Sequence, residues 1–113
     1  MPAFQYQYRP GYGSPRFLIE IVTGVEDPGF FPAFMDAIAD LQPVVTGSAD
    51  LWMNDEFQMY FTSLAGAFSF SKDVWGFAFV EADNNQEGLK IIDALLSSSK
   101  RFERLDVNLE DYK

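Results

Sequence analysis

Hydrophobic and polar residues alternate with a period of two along most of this chain and shift to a helical period in two places. Phe4, Tyr6 and Tyr8 alternate with Gln5 and Gln7, which predicts a short strand. The stretch Arg9-Pro10-Gly11-Tyr12-Gly13-Ser14-Pro15 is turn chemistry and ends it. From Arg16 to Thr23 the residues are apolar and β-branched. Phe17, Ile19 and Ile21 point one way there, and Leu18, Glu20 and Val22 the other. The two segments form an antiparallel hairpin in this reading.

Glu26-Asp27-Pro28-Gly29 has the form of a helix entry, with carboxylates where the helix dipole favours negative charge. Pro32 is tolerated in a first turn, whose N–H groups lack intrahelical acceptors. The helix is predicted from Gly29 to Leu41 or Gln42, with Phe30, Phe34, Ala37, Ile38 and Leu41 as its buried stripe. Asp36 and Asp40 lie one turn apart on another face, a like-charge spacing that costs a few tenths of a kcal/mol. Strand patterns follow over Val44–Met53 (interrupted at Gly47), Phe57–Ser63, Ala67–Ser71 and Val74–Glu81. Turns separate them at Asn54-Asp55-Glu56, Ala65-Gly66 and Lys72-Asp73, and connections this short require antiparallel neighbours. Phe57, Met59, Phe61, Phe68 and Phe70 are assigned to the core. Gln58, Tyr60, Thr62, Ser69 and Ser71 join Leu18, Glu20 and Val22 on the opposite face. In the last of these strands Trp75, Phe77 and Phe79 are the expected core set.

Asn84 followed by Glu87 fits a capping box and opens a second helix, whose apolar face is Leu89, Ile92 and Leu96 flanked by Ile91 and Leu95. Ser97-Ser98-Ser99 frays its end. Phe102–Asn108 reads as a closing strand, and Glu110-Asp111-Tyr112-Lys113 as a solvated tail. The order is β-β-α-β-β-β-β-α-β. This defines one α+β domain over 1–113, a mostly antiparallel sheet of five to six strands with two helices on one face.

Composition sharpens this picture. The chain has 113 residues, nearly half of them apolar, with twelve phenylalanines, enough for one real core. The formal charge is −9 and unevenly placed. Between Phe17 and Ser71 there is no Lys or Arg, while Glu20, Glu26, Asp27, Asp36, Asp40, Asp50, Asp55 and Glu56 all fall there. Nucleic acid and anionic membranes require a cationic face and are disfavoured. A cationic partner drawn in by long-range steering is favoured. No segment is long or apolar enough to span a bilayer, and Met1-Pro2-Ala3-Phe4 lacks the start of a signal peptide, so a cytoplasmic location is the expectation.

Histidine and cysteine are both absent, which removes imidazole bases, thiolate nucleophiles and the usual zinc sites. Asp55 beside Glu56 is a poor glycosidase pair, because adjacent strand positions face opposite ways. Asp83-Asn84-Asn85-Gln86-Glu87-Gly88 has the opening of a calcium loop, but position twelve is Ala94 where a bidentate Glu is needed. Gly11 and Gly13 precede no helix and no Lys-Ser/Thr pair, so no phosphate loop is formed. No enzyme activity and no cofactor are expected.

The segment Asp73-Val74-Trp75-Gly76-Phe77-Ala78-Phe79-Val80-Glu81, followed by Asn84-Asn85-Gln86-Glu87 and Lys90-Ile91-Ile92-Asp93-Ala94-Leu95-Leu96, resembles the small acidic immunity proteins of bacterial contact-dependent growth inhibition and related polymorphic toxin systems. The resemblance lies in size, charge and layout. It implies a cytosolic inhibitor that binds one cognate toxin domain with a basic surface, commonly a nuclease, and blocks its active site or substrate groove. The free protein would be a monomer or weak dimer. Glu20, Asp36, Asp40, Asp50, Asp55 and Glu56 are the candidate acidic contacts, with Trp52 and Tyr60 as aromatic anchors. The alternatives are a ferredoxin-like small-molecule-binding domain or minor enzyme, and a structural adaptor subunit.

Overall fold

The computed structural model describes residues 4–51, 56–73 and 77–112. The alternating segments become strands β1 (Phe4–Pro10), β2 (Phe17–Thr23), β3 (Val44–Leu51), β4 (Glu56–Thr62), β5 (Phe68–Lys72), β6 (Ala78–Glu81) and β7 (Phe102–Arg104). Helix α1 spans Phe30–Ala37 and α2 spans Gln86–Ser98. The strands form one seven-stranded sheet in the order β3-β4-β5-β6-β2-β1-β7. It contains the hairpin β1–β2, as the Pro/Gly loop predicts, and the meander β3–β6. The two parts are joined where β2 pairs with β6.

Each helix carries the chain from mid-sheet to an edge. One connects β2 to β3, the other connects β6 to β7. A helical crossover returns the chain in its original direction, so β7 lies parallel to β1, with Phe4 opposite Phe102. The sheet is mostly antiparallel, as expected, with five of its six pairings of that kind; it differs in having seven strands rather than five to six and one parallel pair.

Both helices pack on one face, in a single cluster with Phe4, Tyr6, Ile19, Ile21, Phe61, Phe68 and Phe70 from the strands. Phe30, Phe34, Ile38, Leu41, Leu89, Ile92 and Leu96 are buried, as the helical periodicity predicts. Phe30 is the hub of the ring contacts, touching Phe4, Phe34, Phe70 and Phe102 within 5.4–6.0 Å. On β6 the expected parity is reversed. Ala78 and Val80 face the helices with no exposure, while Phe77 is 51% exposed and Phe79 is half-buried on the other side. Val80 sits between Ile19 and Phe70 in register. The neighbouring Phe70 is packed by Phe30, Phe31 and Phe34 of α1, and Val80 fits beside it with a small side chain. Trp75 lies outside the described residues.

Several boundaries also differ. The first helix stops at Ala37 and tightens into a 3-10 turn over Ala39–Leu41, ended by Gln42 with φ 51°. Pro43 disfavours a helical conformation at Gln42, which ends the 3-10 turn there. The tighter turn still buries Ile38 and Leu41, and the Leu41 carbonyl accepts from the Leu64 N–H at 2.7 Å.

The N-cap of α2 is Asn85, not Asn84. Its side-chain oxygen accepts from the Gly88 N–H at 3.2 Å, and its amide donates to the Ala65 and Ala67 carbonyls at 2.8 and 3.0 Å. Gly88 has no room for a Cβ, which would collide with the Ala65 carbonyl and the Asn85 side chain. This lone residue therefore welds the β4–β5 turn to the start of the helix. The helix runs through Ser98, and the Ser97 and Ser98 hydroxyls both donate to the Ala94 carbonyl. The closing strand ends at Arg104 rather than Asn108, and Leu109–Tyr112 forms a 3-10 turn where a solvated tail was expected.

One buried polar cluster fixes α2 against the sheet. Asp93, 6% exposed, accepts from the Tyr6 hydroxyl at 2.9 Å and from Arg104 at 2.7 Å. Tyr6 also donates to the Asp93 backbone carbonyl at 3.0 Å. The helix, β1 and the end of β7 thus meet at one carboxylate. Asp93→Ala should lower unfolding free energy by about 2 kcal/mol, the value of a charge-assisted hydrogen bond, with Tyr6→Phe costing about half that, as read by urea denaturation. Burial, reinforced by Asp93, pushes the Tyr6 phenol well above its ordinary value of 10.0. The neutral phenol is the form the fold favours, so its contribution is complete below pH 10 and is lost as pH rises further. Tyr6→Phe should show a shallower fall in stability above pH 10 than the parent; equal slopes would show that this phenol does not govern alkaline unfolding.

Candidate functional site

The helices cover one face of the sheet, and the residues of opposite parity line the other. Strand register arranges them in two rows. Ala49, Gln58, Ser71, Phe79, Glu20 and Gln7 lie side by side, and next to them Gly47, Tyr60, Ser69, Glu81, Leu18 and Arg9. The alternation on β2, β4 and β5 assigns its members correctly. Gly47, Ala49, Ser69 and Ser71 are small and make a low floor, from which Tyr60, Phe79 and Glu81 rise. The Tyr60 ring lies over Gly47, with Cδ2 3.7 Å from where a Cβ would stand.

Three adjoining hollows lie along this floor. One of about 330 Å³ is lined by Gln58, Tyr60, Ser69, Ser71, Glu81 and Asp83. A second, about 490 Å³, shares Tyr60, Ser69, Glu81 and Asp83 with it and reaches Thr46 and Asn85. A third, about 290 Å³, runs from Ala49, Glu56 and Gln58 to Phe79. Glu81 is half-buried, and its backbone carbonyl accepts from the Ser69 hydroxyl at 3.5 Å. Burial raises its carboxyl above the ordinary range, and the neighbouring Asp83 charge adds to the effect.

The electrostatics of this face are one-sided. Arg9 is buried against Glu20 at 2.9 Å, which neutralises both. Lys72 borders the third hollow, but its ammonium is held by Glu26 at 3.1 Å. Among the described residues, Glu56, Glu81 and Asp83 have no ion-pair partner. The arrangement is an aromatic centre of Tyr60 and Phe79, a ring of hydroxyls and an amide, and a carboxylate border. Chemically it can accept hydrogen bonds from cationic groups and offer ring faces to them. No group of three or more His, Cys, Asp or Glu side chains able to hold a metal ion occurs among the described residues. No helix there is long and apolar enough to cross a membrane.

The structure does not bring the predicted acidic contacts onto a single surface. Glu56 and Tyr60 lie on the open face. Glu20 is there too, but as the partner of Arg9. Asp36 and Asp40 are exposed on α1 and its terminal 3-10 turn, on the opposite side of the sheet. Asp50 is in register with Phe57 on the edge strand. Trp52 and Asp55 lie outside the described residues. Phe79, Glu81 and Asp83 were missed. A signal for two of them was present, since Glu81 shares parity with Phe79 and Phe77, and an outward glutamate carries the aromatic set outward with it.

No protein-family model, curated protein or solved structure matches this chain. The site's own chemistry therefore carries the functional argument.

Since the neutral Glu81 carboxyl is the form the fold favours, its contribution is complete below the ordinary carboxylate value, near pH 4, and declines as pH rises through its folded value. Glu81→Gln should raise the thermal midpoint at pH 7 and leave it unchanged at pH 3. A midpoint unchanged or lowered at pH 7 would show that desolvation of this carboxyl is negligible.

Proposed function

We propose that the protein is an immunity-type inhibitor that binds a cognate basic toxin domain, of the nuclease class, and covers its substrate groove with the open face of the sheet. The observation that carries this reading is the pairing of the outward aromatic rings Tyr60 and Phe79 with the carboxylates Glu56, Glu81 and Asp83, while the bordering cations Arg9 and Lys72 are already held by Glu20 and Glu26. A groove that holds nucleic acid displays Lys and Arg for phosphates. Carboxylates at the rim of an apolar centre meet those cations in the phosphates' place. Interface cores combine aromatic anchors with a polar border in this way, and a standard contact buries about 800 Å² on each partner. The net charge of −9 steers the encounter at long range. The role is inhibitory binding in the cytoplasm, with no catalysis.

A second reading, a site for a small cationic molecule, draws on the raised Glu81 carboxyl in its hollow. The hollows open broadly to solvent, whereas ligand pockets enclose most of what they bind. This favours a macromolecular partner.

The test is first whether a toxin domain is encoded beside this chain, and then whether the two bind and the toxin is inhibited. Reversing Glu56, Glu81 and Asp83 to Lys together should weaken the complex at least about 100-fold, or 2.7 kcal/mol, and abolish protection. Reversing Asp36 and Asp40 should change affinity less than about threefold. If the second pair carries the loss, the helical face is the docking surface. If neither set matters, charge recognition is not how the partner is held.

A further inference from the structure

The two edges of the sheet are unequal. β7 has three residues, whereas β3 has eight and, among the described residues, pairs only with β4. Free strand edges present unpaired N–H and C=O groups and are normally blunted by lysine, proline, shortness or a bulge. β3 contains no lysine or proline, and its one irregularity falls at its start, between Val45 and Gly47. Val44 and Val45 are 58% and 48% exposed, and Thr46, Ser48 and Ala49 are exposed as well. Opposite Tyr60 and Gln58 this strand carries only Gly47 and Ala49; Val44, opposite Thr62, shares that face at the strand's start, beside Thr46 of the second hollow. Side chains of an added strand could therefore lie across it toward Tyr60 and Gln58 without meeting a wall.

Charge decides the occupant. From Val44 to Thr62 the chain carries Asp50, Asp55 and Glu56 and no Lys or Arg. A second copy placed along β3 would double that negative charge with nothing to offset it, whereas a strand bearing Lys or Arg would complement it. We propose that β3 is the docking edge for an extended, basic segment of the partner protein, which adds to the sheet as an eighth strand. Backbone hydrogen bonds supply the register. Alternate side chains, about 7 Å apart on one face, hang over the low floor beside the carboxylates. This rests on the reading that the partner is a basic protein and specifies how it is gripped.

The test uses the full chain, ¹⁵N-labelled, at low salt, with three synthetic peptides in large excess. The first is Lys-Val-Lys-Thr-Lys-Val-Lys-Thr. The second keeps its charge but replaces the valines with proline, and the third replaces every lysine with glutamate. Exchange of the outward amides between Gly47 and Leu51 should slow about tenfold with the first peptide and be unchanged with the other two. Equal responses to the proline peptide, with shifts confined to Glu56, Tyr60, Phe79, Glu81 and Asp83, would overturn strand addition while leaving charge recognition by the open face standing. Protection that grows with protein concentration in the absence of peptide would overturn it in favour of a second copy. Absence of protection with every peptide would overturn it also, and the charge-reversal experiment would then decide separately whether the partner is basic.

Discussion

Two short helices have to cover a wide sheet, and most of the molecule's features follow from that mismatch. Seven strands spaced about 4.8 Å apart make a layer close to 30 Å across. A helix of eight residues extends about 12 Å and one of thirteen about 20 Å. Both are used on the same side, and neither is left to shield the other. The hydrophobic content of the chain is spent accordingly. Phenylalanines from β1, β4, β5, β7 and α1 crowd one layer, while the reverse side keeps serines, glutamines and carboxylates. The edge strand β3 is exposed over most of Val44–Ala49.

The polar anchors sit where this single-sided packing needs reinforcement. Asp93 draws α2 onto β1 and the end of β7, at the edge opposite β3. Asn85 joins the helix start to the β4–β5 turn, and Gln86 adds a second tie, accepting from the Phe17 N–H at 2.7 Å and donating to the Phe17 carbonyl at 3.1 Å. These side chains do for α2 what a longer apolar stripe would do in a larger protein. All of them lie on or beside the helical layer, whereas the ion pair on the open face is Arg9–Glu20.

Much of this was legible along the chain. The period-two runs at Ile19, Ile21, Phe57, Met59, Phe61, Phe68 and Phe70 assign faces correctly, because a strand with one wet side must alternate. The order of nine strands and helices is readable for the same reason. The rule misleads at β6, where both parities are apolar, and the larger residues lose the core to rings arriving from β5 and α1. It also cannot reveal Asp93, whose burial depends on Tyr6 and Arg104 meeting it from distant parts of the chain. The parallel placement of β7 is set by where a helix crosses, which periodicity does not encode. The acidic run was visible as a run, yet its members divide between two sides of the sheet, because proximity in sequence is not proximity on a surface. The carboxylates that matter most to the proposed site, Glu81 and Asp83, lie beyond the run altogether.

The seam between β2 and β6 has a further consequence, for how the chain assembles. Every pairing within the meander from β3 to β6 joins segments that follow one another, whereas Leu18 meets Glu81, and Phe4 meets Phe102, only after most of the polypeptide has been positioned. Local pairings form sooner than distant ones, because less loop entropy must be surrendered first. The four strands that display Tyr60, Phe79 and Glu81 can therefore associate while Phe61, Phe68 and Phe70 on their underside still await a cover. Phe70 is covered by Phe30, Phe31 and Phe34 of α1, so until that helix docks, the underside of the meander is an apolar surface open to other chains.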